Sequence, residues 1–324
     1  MGKKAKRVRR RVRYALGTVA FAFVFFSFRF VPERLVLPIG RILGSLAYGL
    51  SPRYRRRVKD NLGIAYGSEW SSVEIGRIAR KVFRNQGMVI AELVSFVWRR
   101  NDLRRFSDRT PIEGKDHLDE VLAQGKGVIA LGAHLNNFFL LGSRLSAEGY
   151  PFSLIQRYPR NPWMAKKMRN YTIRIGQNPV PPEPRLESVR ECIRRLRKNH
   201  ILFLVADERQ KGGEVAVLFF GKPALTATGP AVLSFRTGAR ILPMFLIRQE
   251  DRRNRLIIRP AVSAARTGDR QEDVHALTQA CTAVIEEHVR QYPEQWAWVN
   301  ERWKGAIPMA RPSLPGEMPF LRNR

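Results

Sequence analysis

The segment GKGVIALGAHLNNFFLLG, residues 125–142, decides the fold. Residues 128–131 are an unbroken apolar run, which is typical of a strand buried on both faces. Gly132 and Ala133 let the backbone turn, and His134 then opens a helical stretch. A strand that leads directly into a helix is the first half of a βαβ unit, and it predicts a parallel sheet.

The same alternation continues along the rest of the chain from residue 111 onward. Strands are predicted at 127–131, 152–156, 201–206, 215–220, 241–247 and 256–258, and helices at 117–124, 137–147, 162–175, 186–199 and 230–237. Strands separated by helices indicate an α/β fold with a mostly parallel central sheet flanked by helices. They also place a functional site at the C-terminal ends of the strands. The proline-rich stretch 177–185 is predicted to be a connector.

The charge of the chain restricts its partners. There are 58 Lys and Arg against 28 Asp and Glu, a formal net charge of +30, on a chain that is 44% hydrophobic. Such a chain folds, and its basic surface attracts nucleic acid, an anionic membrane leaflet, an acidic protein or a phosphorylated substrate. Two cysteines exclude a disulfide framework and a thiolate metal site. No zinc spacing, Walker loop or GxGxxG motif is present, so neither a metal nor an organic cofactor is expected.

The N-terminus favours the membrane among these partners. Eight basic residues in 1–13 precede an uncharged run at 14–28. That run is slightly shorter than the roughly 20 residues of a spanning helix, so a short span and an interfacial helix are both open. Five further cations lie between residues 53 and 59, which favours a cytoplasmic body on a shallow or re-entrant helical anchor. The apolar stretch 33–50 fits membrane contact and core packing equally well.

These features divide the chain into four regions. We expect a basic N-terminus with a hydrophobic membrane anchor at 1–32 and a helical membrane-proximal region at 33–110. The α/β domain then covers 111–305, and a proline-rich tail covers 306–324.

His134 is the residue best placed for chemistry. An imidazole between a strand end and a helix N-terminus is expected to have its pKa lowered by the helix dipole, which keeps the ring neutral and available as a base. The alternative is a histidine that donates to a carbonyl within the turn.

Four blocks of sequence, in order, carry a resemblance to a known family. They are residues 125–142, 154–176, 205–243 and 292–304, the last reading YPEQWAWVNERWK. Together they resemble the lipid A biosynthesis acyltransferases (lauroyl and myristoyl transferases) within the lysophospholipid acyltransferase group. The resemblance implies a membrane-associated enzyme that moves an acyl chain from a thioester, with acyl carrier protein as donor, to a hydroxyl of a glycolipid or lysophospholipid. It also implies that the protein is located at the cytoplasmic face of the bacterial inner membrane.

One position departs from the family pattern. The family has a carboxylate five residues after its histidine, where this sequence has Phe139. Three explanations are open. Asp207, Glu208 or Glu92 replaces that acid in space, a backbone carbonyl holds the ring, or the chain is a catalytically silent lipid-binding relative.

Several other residues are candidates for the site. The resemblance and the strand-end positions assign catalytic roles to His134 and Asp207, and substrate-binding roles to Asn136, Asn137, Arg157, Glu208, Thr226 and Thr228. Arg157 follows a strand, where a guanidinium can clamp a phosphate or carboxylate, although a solvated arginine is equally compatible. Thr226 and Thr228 precede a helix start that can hold an anion, with simple capping by Thr228 as the alternative. The alternative role of Asp207 is to cap a helix or a turn.

Two further questions stay open at this stage. Trp296, Trp298 and Trp303 fit either a lipid-facing surface or a core. A nucleic-acid binder would explain the charge but neither the anchor nor the ordered motifs, so no nucleic-acid partner is expected.

Overall fold

The computed structural model describes residues 26–98, 103–159, 162–209 and 213–305. The basic N-terminus, most of the apolar run 14–28 and the tail 306–324 lie outside these residues, and so does the greater part of the expected anchor. Four helices precede the sheet: α1 (Glu33–Leu50), α2 (Pro52–Tyr66), α3 (Ser72–Trp98) and α4 (Leu103–Asp108). In the described part of the chain, no single helix has the length and apolarity to cross a membrane, whereas α1 and α2, bent by 95°, meet that test as a pair.

The helices α1 and α3 approach each other closely because both carry glycines at the contact. A Cβ atom placed on Gly44 would lie 2.2 Å from the carbonyl oxygen of Phe83, and one on Gly87 would lie 2.1 Å from that of Gly40. The two backbones therefore touch directly, and any side chain at these positions would force them apart.

The expected α/β body is confirmed. Seven strands form one sheet in the order β1-β9-β8-β2-β5-β3-β4, in which only the β8–β9 pair is antiparallel. The strands are β1 (Ile112–Glu113), β2 (Val128–Gly132), β3 (Phe152–Ile155), β4 (Gln177–Val180), β5 (Ile201–Val205), β8 (Arg240–Arg248) and β9 (Asn254–Ile258). The helices of this part are α5 (Lys115–Leu122), α6 (Phe138–Ala147), α7 (Pro162–Arg174), α8 (Arg185–Arg197), α9 (Gly229–Thr237) and α10 (Arg270–Gln291).

Two predictions about the sheet were wrong. The run 215–220 is not a strand of the central sheet, because β6 (Glu214–Phe219) pairs only with β7 (Lys222–Ala227) in a separate hairpin. Phe220 and Gly221 both have positive φ, and that pair of conformations makes the tight two-residue turn of the hairpin.

The stretch 177–185 is not merely a connector, because it contributes β4. This strand is the outermost of its sheet edge and pairs only with β3. A proline such as Pro179 lacks the N–H that a ladder needs, and an edge strand tolerates that loss. The high proline content of 177–185 therefore led to the prediction of a connector where the structure has an edge strand.

The tryptophans belong to the core. Trp296, Trp298 and Trp303 are 0%, 0% and 2% exposed. Trp296 and Trp298 meet edge to face with ring centroids 4.6 Å apart, and Trp303 packs on Phe219 of β6. Their block thus attaches the hairpin to the sheet instead of facing lipid.

Candidate active site

The register of two parallel strands brings His134 and Asp207 together. Gly132 at the end of β2 pairs with Val205 at the end of β5, so the residues two positions later emerge side by side. The Nδ1 atom of His134 lies 2.8 Å from Oδ1 of Asp207. The backbone N–H of His134 donates to Oδ2 of Asp207 at 2.8 Å, and Nε1 of Trp296 donates to the same oxygen at 2.7 Å. The carboxylate is therefore fixed by three contacts.

These contacts determine which nitrogen of the imidazole is available. A carboxylate on Nδ1 favours the proton at that atom, which leaves Nε2 to accept a proton from a substrate. The His134 side chain is 25% exposed, and its ring meets the ring of Phe138 edge to face at 5.0 Å. Glu208 is about half exposed and places Oε1 3.7 Å from Nε2. The Nε2 atom thus faces the open side of the site.

The expectation that the helix dipole lowers the His134 pKa was wrong. Burial of the ring lowers the pKa, but the charge of Asp207 and the hydrogen bond to it outweigh burial and raise the pKa to about 9. Burial opposes ionisation of Asp207 as well, yet the neighbouring imidazolium and the donors around the carboxylate lower its pKa overall. The pair is consequently an imidazolium beside a carboxylate at neutral pH, and the ring becomes a base as it loses its proton.

Phe139 occupies the position of the family's carboxylate without reaching the imidazole nitrogen. Its ring stacks on Phe138 with centroids 4.3 Å apart, and its carbonyl accepts a hydrogen bond from Gln177 of β4. The carboxylate on the imidazole comes instead from Asp207. The first of the three explanations, a replacement in space, is the one that fits this geometry.

Asn136 and Asn137 lie beneath the site, in a buried polar cluster. Asn136 has a φ of 45°, is 3% exposed and donates through Nδ2 to Leu246 O at 3.1 Å and Asn254 Oδ1 at 3.0 Å. Asn137 is fully buried and donates to Glu92 Oε2 at 2.8 Å. The Nδ2 groups of both amides therefore donate to the protein, in contacts that hold the turn after His134, whereas the Oδ1 atom of Asn137 is buried without a hydrogen-bond partner among the described residues.

An ion pair between α3 and β8 is the centre of this cluster. Arg248 contacts both carboxylate oxygens of Glu92, at 2.9 and 3.2 Å, and Asn254 donates to the same carboxylate at 2.9 Å. Gln295 closes the cluster, since its side chain exchanges two hydrogen bonds with the backbone of Arg248 and its carbonyl accepts from Asn136 N. Sequence reasoning missed Arg248, Asn254 and Gln295. The available signal was a charged residue directly after the apolar run 241–247.

The two threonines have partners within the protein. Thr226 is 1% exposed and accepts a hydrogen bond from Arg302 Nη2 at 2.5 Å, and Thr228 donates to Gly213 O at 2.8 Å. Arg302 is 2% exposed, and burial lowers its pKa to about 10 despite attraction from Asp207 and Glu208. This arginine, also missed in the sequence, is a buried positive charge near the carboxylates of the site.

Arg157 lies at the same edge of the sheet as Asp207. It follows β3, a direct neighbour of β5, and its side chain is exposed. Among the described residues no hydrogen bond joins Arg157 to His134 or Asp207, so Arg157 does not contact the His134–Asp207 pair directly. Within the same described ranges, no group of three or more His, Cys, Asp or Glu side chains is arranged to hold a metal ion.

The chain is similar in sequence to several known proteins. Residues 2–305 match the sequence profile of a family described as bacterial lipid A biosynthesis acyltransferase. The lipid A biosynthesis palmitoleoyltransferase of Escherichia coli (strain K12) is 25% identical over 283 residues, 85% of this chain and 86% of that protein. The lauroyltransferase of the same pathway and strain is 24% identical over 277 residues, 85% and 87%. A phosphatidylinositol mannoside acyltransferase of Mycobacterium tuberculosis (strain CDC 1551 / Oshkosh) is 28% identical over 240 residues, 73% and 70%.

Proposed function

Because the chain belongs to the bacterial lipid A biosynthesis acyltransferase family and is an acyltransferase, we propose that it moves a fatty acyl chain from an acyl thioester to a hydroxyl of a glycolipid or lysophospholipid. The observation that carries this proposal is the His134–Asp207 pair, with Nε2 on the open side of the site. General-base assistance of this kind contributes roughly 10² to 10⁴ in rate.

The reaction follows from the two side chains. Nε2 of neutral His134 takes the proton of the acceptor hydroxyl as its oxygen attacks the thioester carbonyl. Asp207 stays ionised and stabilises the imidazolium that forms, as the buried aspartate of a catalytic triad does. When the tetrahedral intermediate collapses, the C–S bond breaks and the imidazolium returns its proton to the departing thiolate. An ester and a free thiol result.

The chemistry of the surface supports the choice of donor and location. We take acyl carrier protein as the donor, since an acidic carrier is attracted to a chain with a net charge of +30. The same charge favours an anionic membrane surface, and we place the enzyme on the cytoplasmic face of the bacterial inner membrane, held there by residues 1–32. The relatives named for lipid A and phosphatidylinositol mannoside support a lipid acceptor.

The test is acyl transfer by membrane fractions. Labelled acyl groups on acyl carrier protein should appear in an organic-extractable lipid with the wild type, and His134→Ala should reduce the rate at least about a hundredfold. A matched control is His275→Ala, since His275 is an exposed residue of α10 that contacts Ala216 O. A wild type that is inert with every donor and acceptor would favour the silent lipid-binding relative, the alternative suggested by Phe139.

A further inference from the structure

A groove lined by cations lies between α8 and α9, two helices that cover the same face of the sheet. It has a volume of about 490 Å³. Five of its six lining residues are positively charged, and with Ile193 as the sixth they are Arg190, Arg194, Arg197, Lys198 and Arg236. The three arginines of α8 follow the i, i+4, i+7 spacing of one helix face, so they form a row along one wall of the groove. Arg236 of α9 belongs to the opposite wall.

Few counter-ions accompany these cations. Residues 185–198 contain six basic and two acidic residues. One of the two, Glu191, already accepts hydrogen bonds from Arg194 and Arg195 at 2.6 Å, and these bonds, that of Arg194 above all, lower its pKa to about 2. The other, Glu187, does not line the groove. Within the described ranges, the remaining four cations of the groove are exposed and form no ion pair, so they are available to a negatively charged partner.

The groove lies over the two strands that carry the active site. α8 packs on β5, and α9 packs on β2 and β8. β5 and β2 are neighbours in the sheet, and they end two residues before Asp207 and His134. Both helices lead back to the start of the next strand, so they run antiparallel to the strands and begin at the end of the sheet that holds the site.

The end of the groove nearer the site is bordered by Gly213. Thr228, just before α9, donates to the carbonyl of Gly213 at 2.8 Å. A Cβ atom placed on Gly213 would lie 3.1 Å from Nη2 of Arg185, the first residue of α8. Gly213 lies in the segment that follows Asp207 and Glu208 in the chain. The active site therefore lies just beyond this end of the groove.

The cations of the groove stand at a distance from the imidazole. Arg197 lies beside the start of β5 at Ile201, and Asp207 is about 20 Å further along that strand. Arg190 lies two helical turns before Arg197 and is about 10 Å closer to the site. A partner in the groove is consequently too far away to present a group on its own surface to His134. A partner that carries a thioester on a long flexible arm can deliver it from there.

The exposed apolar surface of the protein lies elsewhere. Four apolar side chains of α1 are between 43% and 81% exposed, as in a helix that contacts lipid, and they are Leu35, Ile42, Leu46 and Leu50. α1 packs on α3, which is bound through Glu92 to Arg248 at the end of β8. The groove instead borders the start of β8, because Arg236 shortly precedes that strand, and it has a single apolar lining residue. This arrangement favours a water-soluble anionic partner of the groove over a membrane.

We propose that the groove between α8 and α9 is the docking surface of the acidic carrier protein that donates the acyl chain. Carboxylates at helical spacing on the carrier match the row formed by Arg190, Arg194 and Arg197. The arm of the carrier passes Gly213 and brings the thioester to His134. A small polar interface of this kind suits a partner that must leave after each transfer. The inference rests on the proposed function, because it takes a carrier protein as the donor.

Binding of acyl carrier protein to the full-length His134→Ala variant, followed by fluorescence anisotropy of a labelled carrier, tests the groove without dependence on acyl transfer. Arg190→Glu with Arg236→Glu reverses one charge on each wall and should weaken binding about tenfold or more at roughly 0.1 M salt. Arg53→Glu with Lys59→Glu is the matched control, because both residues are exposed on α2 and the net charge changes equally. The control should weaken binding less than about threefold. Equal weakening by the two pairs would overturn the proposal.

The same measurement separates this proposal from the proposed function. A protein that does not bind the carrier at all would contradict the choice of donor, and the docking surface would be refuted with it. Carrier binding that is unaffected by Arg190→Glu with Arg236→Glu would leave the donor in place and refute the docking surface alone.

Kinetics with two donors show whether the groove acts on the protein part of the donor. In the otherwise wild-type enzyme, Arg190→Glu with Arg236→Glu should raise KM for the acylated carrier about tenfold or more and change kcat less than about twofold. S-dodecanoyl pantetheine offers a thioester without a protein, and its kcat/KM should change less than about twofold. Equal losses with both donors would show that the substitutions damage the active site, and would contradict the proposal.

Flotation with phosphatidylglycerol vesicles tests a membrane as the alternative occupant. The two double variants have the same net charge and should float with the vesicles equally well. Loss of flotation for Arg190→Glu with Arg236→Glu alone would show that the groove faces anionic lipid, and would overturn the proposal.

Discussion

Asp207 supplies to His134 the carboxylate contact that position 139 cannot provide. Both His134 and Asp207 were identifiable in the sequence, because each follows a buried strand at the edge where parallel sheets present functional groups. Their direct pairing was not predictable, since it depends on β2 and β5 being neighbours in exact alignment. The direction of the His134 pKa shift was mispredicted for the same reason, because the helix dipole was visible in the sequence and the facing carboxylate was not.

Replacement of Asp207 by Asn should reduce kcat/KM by about 10² to 10⁴, because the amide stabilises neither the Nδ1–H tautomer nor the imidazolium. Glu208→Gln is the matched comparison. Its carboxylate is about half exposed and 3.7 Å from Nε2, so a loss below about tenfold is expected. Initial rates with a fixed acceptor and varied donor check both predictions. A larger loss of kcat/KM for Glu208→Gln than for Asp207→Asn would show that Glu208, and not Asp207, is the partner of His134.

A carboxylate restored at position 139 should not increase the rate. In Phe139→Glu the new carboxylate cannot bind Nδ1 of His134, because Nδ1 is already hydrogen-bonded to Asp207. The substitution also removes the stacking of the Phe139 ring on Phe138. Transfer rates together with thermal unfolding separate catalysis from loss of stability. An increase in rate above wild type would mean that Asp207 does not orient the ring.

At the scale of elements, the buried cluster joins α3 to β8, β9 and the turn that follows His134. Glu92 and Arg248 are 156 residues apart in the chain, and their side chains are 20% and 5% exposed. The arginine at the end of β8 indicated that a carboxylate partner is needed. Which carboxylate it is cannot be predicted without the position of α3. The same limit applies to β4, since a proline-rich sequence does not reveal that it lies at a sheet edge.

Arg248→Met should destabilise the fold by about 3–5 kcal/mol, because it leaves the Glu92 carboxylate without its cation in a largely buried position. The matched control is Arg255→Met on β9, whose ion pair with Glu113 is exposed and should contribute no more than about 1 kcal/mol. Urea unfolding monitored by tryptophan fluorescence measures both. Similar losses in the free energy of unfolding would show that the buried ion pair stabilises the fold no more than the exposed one.

For the molecule as a whole, the alternation of apolar runs and amphipathic stretches was enough to predict the α/β class and the end of the sheet that holds the site. The arrangement of α1 to α3 against that body was not predictable, because apolar helices fit a core and a membrane equally well. Gly44 and Gly87, where the backbones touch, were not recognised as a packing signal.

Global stability and activity should respond to pH in opposite directions. The His134 pKa is about 9 in the folded protein against 6.5 for the free side chain, so the pair stabilises the fold fully below about pH 6.5. This contribution, about 3 kcal/mol, is lost as the pH rises through 9. Over the same interval kcat/KM should increase as the ring becomes a base. Urea unfolding and initial rates from pH 6 to 10 check the two, and parallel trends would contradict this description.

The most direct measurement is an NMR titration of the His134 ring in the wild type and in Asp207→Asn. The wild-type ring should titrate with a pKa of about 9 and with the proton on Nδ1 in the neutral form. In Asp207→Asn the pKa should fall toward about 6.5, because burial is then opposed only by the half-exposed Glu208. Equal pKa values in the two proteins would show that Asp207 does not set the protonation of the His134 ring.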